Sequence, residues 1–449
     1  MVEFHNLTPP GFIIDLLHFL KNLRHHARYP TVIEGTIIGV LGYLALTRLL
    51  RWRRYNAIHR EYMKKYQDGT LSPEEAQRVI LVSTSYDMPL LLNYSLAFAL
   101  FKTYAIPSIS KLLSVTGEFK SAETVSKRYA DTEILIATWV ACPISGFLDP
   151  NFKSSENGPS ADDPRAMIAL ARVNWIHSRY RIRWAERYGW RKLSPMECEA
   201  FYVFWAEIGR RMNMRDIPES REEMIEWSRD YEVKNMIPAE TNKEVAEYTM
   251  AELLSAVPTR FGLRSFAVTR VALCLLEDRV RVGMMQPAQP WFFHALTHGV
   301  MAMNWTAQRW FLLPRIYPSF PVKIDLPKAT GERCPKLHPN KWQYRPWYRP
   351  ESTGLGYLQN KFLVAIGWYS EMPGPHLKSS GYRLEEMGPF KFENCASPLP
   401  SSAHCRKLTG FMIPAAAHEE VMQKAAELQG CPVAGPWSLE GRCGEEPSP

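Results

Sequence analysis

The chain carries eight cysteines but no CxxC pair and no even ladder of cysteine spacings. That excludes a structural zinc site and a disulfide framework and points to a reducing, cytosol-facing environment. It has no HExxH and no set of histidine boxes, which leaves a desaturase-like di-iron site without its ligands. No internal repeat is present, and few windows alternate strictly between apolar and polar residues, so sheet is not expected. Nor is this a disordered protein: 46% of its 449 residues are hydrophobic, and such a chain buries more than one core normally organises.

Charge is sparse and local. The formal net charge is +8, and much of the excess lies in Arg48, Arg51, Arg53, Arg54, Arg60, Lys64 and Lys65. These follow directly on an apolar run, where an anionic lipid surface is the natural partner and nucleic acid is not. The run itself, Thr31 to Leu50, is twenty residues long, which at about 1.5 Å per residue matches the roughly 30 Å of a bilayer core. Its centre, from Gly35 to Thr47, carries no charge. The alternative is a buried helix of a soluble domain. The basic cluster after the run outweighs Lys21, Arg24 and Arg28 before it, so the bulk of the chain should face the cytosol. No small-residue cleavage site follows, which favours a signal anchor. Gly35 and Gly39 form a GxxxG, a helix-pairing face through which a homodimer could assemble. Residues 1–30 form an amphipathic segment: Gly11 to Ala27 is apolar first and basic after, as in a helix lying on a membrane surface.

Beyond the anchor the periodicity predicts an all-α domain over residues 51–394. Helices are expected near Tyr94 to Thr103, Ser110 to Val115, from Ser121 through Val140, from Asp163 and Pro164 to about Tyr188, and at Ser194 to Met212. More follow at Arg221 to Met236, Lys243 to Ala256, Leu263 to Val282 and Trp291 to Leu313. Glu277, Asp278 and Arg279 then fall inside an apolar helix, as a buried ion pair or as a solvated stripe. Prolines punctuate Pro314 to Pro350. The aromatic stretch Trp342 to Tyr348 there either rests at headgroup level or packs under a long loop. Residues 395–449 form a Ser-, Pro- and Gly-rich tail, with a short helix at Ala415 to Leu428 and disorder at the end.

Two segments carry candidate chemistry. In KRYADT, Arg128 and Thr132 are spaced i, i+4 and share a helix face with Asp131 beside them. Arg128 suits a propionate or an oxygen species, Thr132 can donate to dioxygen, and the bland alternative is a surface Arg128–Asp131 pair. In RVNWIHSRY, His177 shares a face with Leu170, Val173, Asn174, Tyr180, Arg181 and Trp184, which suits an axial haem ligand, although a helical histidine taken alone is more often structural. His294 and His298, also i, i+4, could seed a non-haem iron or zinc site. Cys431 lies in the polar tail, a poor setting for a thiolate ligand.

KRYADT and RVNWIHSRY are followed by GWRKLSPMECEAFYVFWAEIGRRMNM, EWSRDYEVKNMIP and LLEDRVRVGMMQPAQPWFF. In that order they resemble the family of the ER-bound oxygenase of mycophenolic acid biosynthesis and, more distantly, the bacterial rubber oxygenases called latex-clearing proteins. The likeness runs from about Ala97 to Gly388 and Pro389 in EEMGP, with a membrane helix ahead of the domain and a CP dipeptide, Cys431 and Pro432, near the end. The resemblance implies an all-helical fold with a non-covalent b-type haem that splits an isoprenoid carbon–carbon double bond with dioxygen and leaves carbonyl ends. It makes His177 the proximal iron ligand, Arg128 the arginine near the haem and Thr132 the threonine of the same helix. In the rubber oxygenase pattern a lysine precedes that threonine; here Asp131 does, and it could pair with Arg128, accept a proton or do neither. The expected partners are a lipophilic small molecule with a prenyl chain, dioxygen and membrane lipid, at the endoplasmic reticulum. The competing reading is a silent, membrane-tethered helical protein that binds a lipid or a partner in the same cavity.

Overall fold

Serine and proline set where the helices of this chain begin. Ser72 and Glu75 form a capping box: the Glu75 N–H donates to Ser72 Oγ at 3.3 Å and the Ser72 N–H donates back to the Glu75 carboxylate at 3.1 Å, satisfying two amides that have no partner within the helix. Ser194 and Glu197 repeat the arrangement at 3.1 and 2.9 Å. Ser121 and Ser220 each accept from the amide three residues on, both at 3.2 Å. Pro73, Pro89 and Pro107 occupy first-turn positions, where a missing N–H costs nothing.

The computed structural model describes residues 30–117, 119, 121–144, 190–211, 216–253, 258–262, 266–323, 336–341, 343–382, 384 and 387–388. The amphipathic N-terminal segment, the helix from Asp163 with His177, Trp342, the tail and Cys431 lie outside them. The described elements are α1 (Pro30–Arg51), α2 (Arg53–Gln67), α3 (Pro73–Leu81, running on through a π-helical turn Val82–Asp87), α4 (Pro89–Tyr104), α5 (Pro107–Thr116), α6 (Ala122–Ala141) and α7 (Pro195–Arg211). They continue as α8 (Arg221–Asn235), α9 (Glu240–Leu253), α10 (Asp278–Gly283), α11 (Trp291–Thr306, extended by a π-helical turn Ala307–Phe311) and α12 (Gly354–Ala365). Among the described residues there is no strand. A single antiparallel bridge joins Leu337 to Tyr382. Beside it Gly381 sits at φ +100, and a Cβ there would meet the Leu337 carbonyl at 2.7 Å, so only glycine lets the two segments close.

Two apolar clusters form the interior. One gathers Tyr62, Val79, Ile80, Ile134, Trp139, Phe204 and Ile208 from α2, α3, α6 and α7, covered by Leu337, Trp347, Tyr348, Tyr382 and Met387. The other gathers Phe101, Tyr104, Ile106, Val245, Met250, Leu273 and Met284 from α4, α5, α9 and the 273–284 stretch. Helix α6 is the seam, giving Ile134 and Trp139 to the first cluster and Val125 to the second.

Helix α1 belongs to an N-terminal helical run, Val32–Gln67, that is long and apolar enough to cross a membrane, and almost none of its apolar stretch is buried. A Cβ built on Gly35, Gly39 or Gly42 finds nothing within 4 Å, so that face is open.

The structure departs from the sequence expectations in the stretch from Leu263 to Val282, and it adds α2, α3 and α12, where no helix was expected. The expected helix Leu263 to Val282 is interrupted: a π-helical turn Ala267–Ala272 leads to Leu273–Leu275, and the chain then goes extended at Leu276 (φ −74, ψ 146). Glu277, Asp278 and Arg279 therefore mark a helix start, where acidic groups complement the helix dipole. Glu277 pairs with buried Lys102 at 3.0 Å, and Lys102 also meets Glu232 at 3.3 Å. Of the two readings of the aromatic stretch, packing under the loop is the one seen at Trp347 and Tyr348, which are buried in the first cluster.

Where the end of α3 meets the start of α7 lies a buried ion triad. Arg191 clasps Glu197 with two bonds of 2.7 and 2.6 Å and meets Asp87 at 2.7 Å. Burial lifts the Asp87 carboxyl above its usual pKa even with Arg191 alongside, which shows how little water reaches this place. Removing the guanidinium by Arg191→Met strands two buried carboxylates and should cost about 3–5 kcal/mol. Urea denaturation of the solubilised protein measures it, and an unchanged midpoint would mean that the triad carries no stability.

Candidate functional site

Helix α6 is buried along most of its length, yet Arg128, Tyr129, Thr132 and Glu133 are only half-buried. At helical spacing these four adjoin on one side, a partly open stripe on an otherwise packed helix. Arg128 lies over the Phe119 ring at 5.7 Å, and among the described residues it has no hydrogen bond or ion pair. Thr132 likewise makes no side-chain hydrogen bond among the described residues. The structure thus brings Arg128 and Thr132 together, a permanently charged fork and a free hydroxyl one turn apart.

Asp131 is placed elsewhere. Its carboxylate turns into the core and takes three donors: the Lys127 ammonium at 2.7 Å, the Tyr348 hydroxyl at 2.6 Å and the Gly388 amide at 3.2 Å. The Lys127 ammonium also donates to the Gly388 carbonyl at 2.5 Å. Lys127 is 1% exposed, and a cation so placed requires its anion close by. Alongside, the Trp347 indole donates to Ser126 Oγ at 3.2 Å and Ser126 donates to Glu252 at 3.2 Å. Asp131 therefore pairs with Lys127 rather than Arg128. KRYADT, the WYRP segment and EEMGP, distant in sequence, meet at this carboxylate.

The open side of α6 has polar company of its own. Glu133 accepts from Lys341 at 2.6 Å and from Gln343 at 3.1 Å. Burial works against the Lys341 charge, but the Glu133 carboxylate outweighs it and leaves the lysine pKa above its ordinary value. Burial also raises the phenols nearby: Tyr94 upward, Tyr129 well upward, and Tyr104 to about 12 although the Arg128 charge pulls it back. Lys341 and Tyr94 lie together beside the stripe, the ammonium 5.7 Å from the ring centroid. His294 and His298 face the same way on α11, ring centroids 6.4 Å apart; among the described residues no group of three His, Cys, Asp or Glu side chains gathers there or elsewhere.

Residues 152–316, which include position 177, match the family model described as ER-bound oxygenase mpaB/B'/Rubber oxygenase, catalytic domain. Over that stretch the chain is similar to the catalytic domain of this oxygenase family. It is 27% identical over 433 residues to the ER-bound oxygenase mpaB' of Penicillium brevicompactum, covering 86% of this chain and 94% of that one. To the ER-bound oxygenase mpaB of the same organism it is 30% identical over 251 residues, 48% of this chain and 60% of that one. With mpaB of Penicillium roqueforti (strain FM164) it shares 28% over 284 residues, 55% and 89% of the two chains. No solved structure matches. Arg128 and Thr132 lie ahead of the stretch matched by the family model, on the seam helix.

Sequence reasoning missed Lys127, Glu133, Lys341, Gln343 and Tyr348. The i, i+4 spacing of Lys127 and Asp131 was a usable signal; Tyr348 and Lys341 gave none, since only the folded loop brings them to α6.

Tyr348→Phe removes one donor from a buried carboxylate and should lower stability by about 1.5–3 kcal/mol, read from denaturant midpoints. The phenol of Tyr104, at about 12 when folded against about 10 unfolded, supplies an alkaline test. Its pKa is raised, so its contribution is complete below about pH 10 and is lost as pH climbs through the folded value. The urea midpoint of Tyr104→Phe should therefore fall less than that of the parent between those pH values; equal slopes would show that this phenol does not titrate with unfolding.

Proposed function

We propose that the protein is a membrane-anchored, haem-dependent oxygenase that cleaves a carbon–carbon double bond in the prenyl chain of a lipophilic metabolite, leaving carbonyl ends. The observation that carries this reading is the open stripe on α6. Arg128 stands there half-buried without an anion among the described residues, one turn from a hydroxyl without a partner. A guanidinium so placed fits a carboxylate-bearing planar cofactor, and similarity to an oxygenase family supports the chemistry.

In this reading His177 would hold the haem iron and Arg128 would hold a propionate. Bound haem supplies the activation of dioxygen. Thr132 donates its hydroxyl hydrogen bond toward dioxygen and stays small enough to admit an alkene alongside. Asp131 takes no part in proton transfer; its three donors hold the register of α6 and so the aim of Arg128 and Thr132. The raised phenols of Tyr94, Tyr104 and Tyr129 remain protonated at neutral pH and so add no charge beside Arg128 and the Lys341–Glu133 pair. Helix α1 anchors the domain at the endoplasmic reticulum with the domain on the cytosolic side, where a prenyl chain reaches the site from lipid without crossing water. The open Gly35/Gly39 face is where two anchors would pair.

Purified full-length protein tests the proposal. A stoichiometric Soret band should be present and should vanish in His177→Ala. Thr132→Val should retain haem and lose turnover, and Arg128→Ala should weaken haem retention. Colourless but folded protein would sink the proposal in favour of a silent lipid- or partner-binding role. Iron or zinc without porphyrin, sensitive to His294→Ala, would replace it with a non-haem site.

A further inference from the structure

Helix α11 is amphipathic in the wrong sense for a helix in water. Its outward stripe is Phe292, Leu296, Val300, Met303 and Trp310, all exposed, with Met303 at 70% and Trp291 at the helix start at 79%. Most of its polar residues lie on the inner side: Thr297 is buried, and His294, His298 and Gln308 are half-buried beside Phe293, Met301 and Trp305, whereas Asn304 and Thr306 are exposed. From Trp291 to Gln308 there is no Asp, Glu, Lys or Arg. A helix bordering water places its charges outward and its apolar stripe inward, and an exposed apolar surface of this extent marks contact with something other than water.

The helix end identifies the medium. The Tyr43 hydroxyl of α1 donates to the Phe311 carbonyl at 2.6 Å, Arg51 donates to the Leu312 carbonyl, and Arg54 donates to the Ile316 carbonyl at 2.8 Å. The Arg48 guanidinium covers the Trp310 ring at 5.1 Å. Phe311, Leu312 and Leu313, each about half exposed, therefore sit level with the last turns of the membrane-spanning run. Arg48, Arg51, Arg54, Arg309 and Arg315 cluster with Trp310 and Tyr317 around this junction, the pairing of cations and amphipathic rings that suits phospholipid headgroups.

We propose that the outer face of Trp291–Leu313 lies in the bilayer beside α1, so that the domain is held by a second, monotopic surface as well as by its anchor. The occupant is lipid: the apolar face is continuous with a helix whose own surface is exposed and apolar, and the charges lie at its rim rather than across it. The inference rests on the anchor reading above and is independent of the haem chemistry.

The test places a photoreactive benzoylphenylalanine at Leu296, Met303, Ile38 or Glu247, one at a time, in the full chain reconstituted in phosphatidylcholine vesicles containing a minority of phosphatidylserine. After irradiation, mass spectrometry should find phospholipid adducts at 296 and 303 as abundant as at 38 in the anchor, and none at 247 on α9. Lipid adducts at 38 but not at 296 or 303 would overturn this inference alone. Cross-links from 296 or 303 to a second copy, or to another segment of the same chain, would overturn it in favour of that occupant. No lipid adduct at 38 would remove the anchor reading and this inference with it.

Discussion

Everything on α6 is aimed by one buried ion pair. Lys127 and Asp131 are neighbours on the helix, almost wholly removed from water, and each would be expensive alone. Together, with Tyr348 and both backbone groups of Gly388 as further partners, they lock the rotation of α6 about its axis. A helix wedged between two apolar clusters could settle in several rotations at similar cost in buried surface; polar partners of fixed geometry permit one. That rotation turns Arg128 and Thr132 to the open side and Asp131 away from it. The acidic residue that stands before the threonine is thus spent on architecture, with a lysine one turn earlier as its counter-charge.

Helical architecture was readable because the chain writes its helix starts in local chemistry. Ser72, Ser121, Ser194 and Ser220 carry their signal in one side chain and one amide, within four residues. Breaks that depend on distant packing were less visible. The sequence from Leu263 to Val282 keeps helical periodicity, yet it turns at Leu276 because Glu277 goes to buried Lys102, a partner on a helix far away in the chain. Of the candidate site, the shared face of Arg128 and Thr132 follows from spacing alone. The fate of Asp131 did not, since it was settled by Tyr348 and Gly388 from a proline-punctuated loop whose path no periodicity describes. The resemblance of short motifs supplied what spacing left open at Arg128, Thr132 and His177, because a family's motif order is information that single-sequence physics does not contain.

Charge is satisfied differently in two parts of the molecule. At the junction of α1 and α11, arginines reach backbone carbonyls and aromatic faces rather than carboxylates. In the domain interior, by contrast, Arg191 and Lys102 are matched by acids. A cation satisfied by carbonyls and rings keeps its net charge for an outside partner, whereas one matched by acids gives it up.

Gln77 closes the last turn of α6, donating to the Trp139 and Cys142 carbonyls at 2.8 and 2.6 Å and accepting from the Ile144 amide at 3.0 Å. The Trp190 indole donates to the Asp87 carbonyl at 3.1 Å. Gln77 and Asp87 lie on one continuous helical element, so the chain leaves for position 177 and returns from it tied to a single rod. Arg51 at the end of α1 lies over Trp190 at 4.8 Å, and Arg54 lies over Tyr86 at 4.2 Å. A change in the tilt of α1 therefore bears on that rod directly, and through it on both ends of the stretch between Ile144 and Trp190.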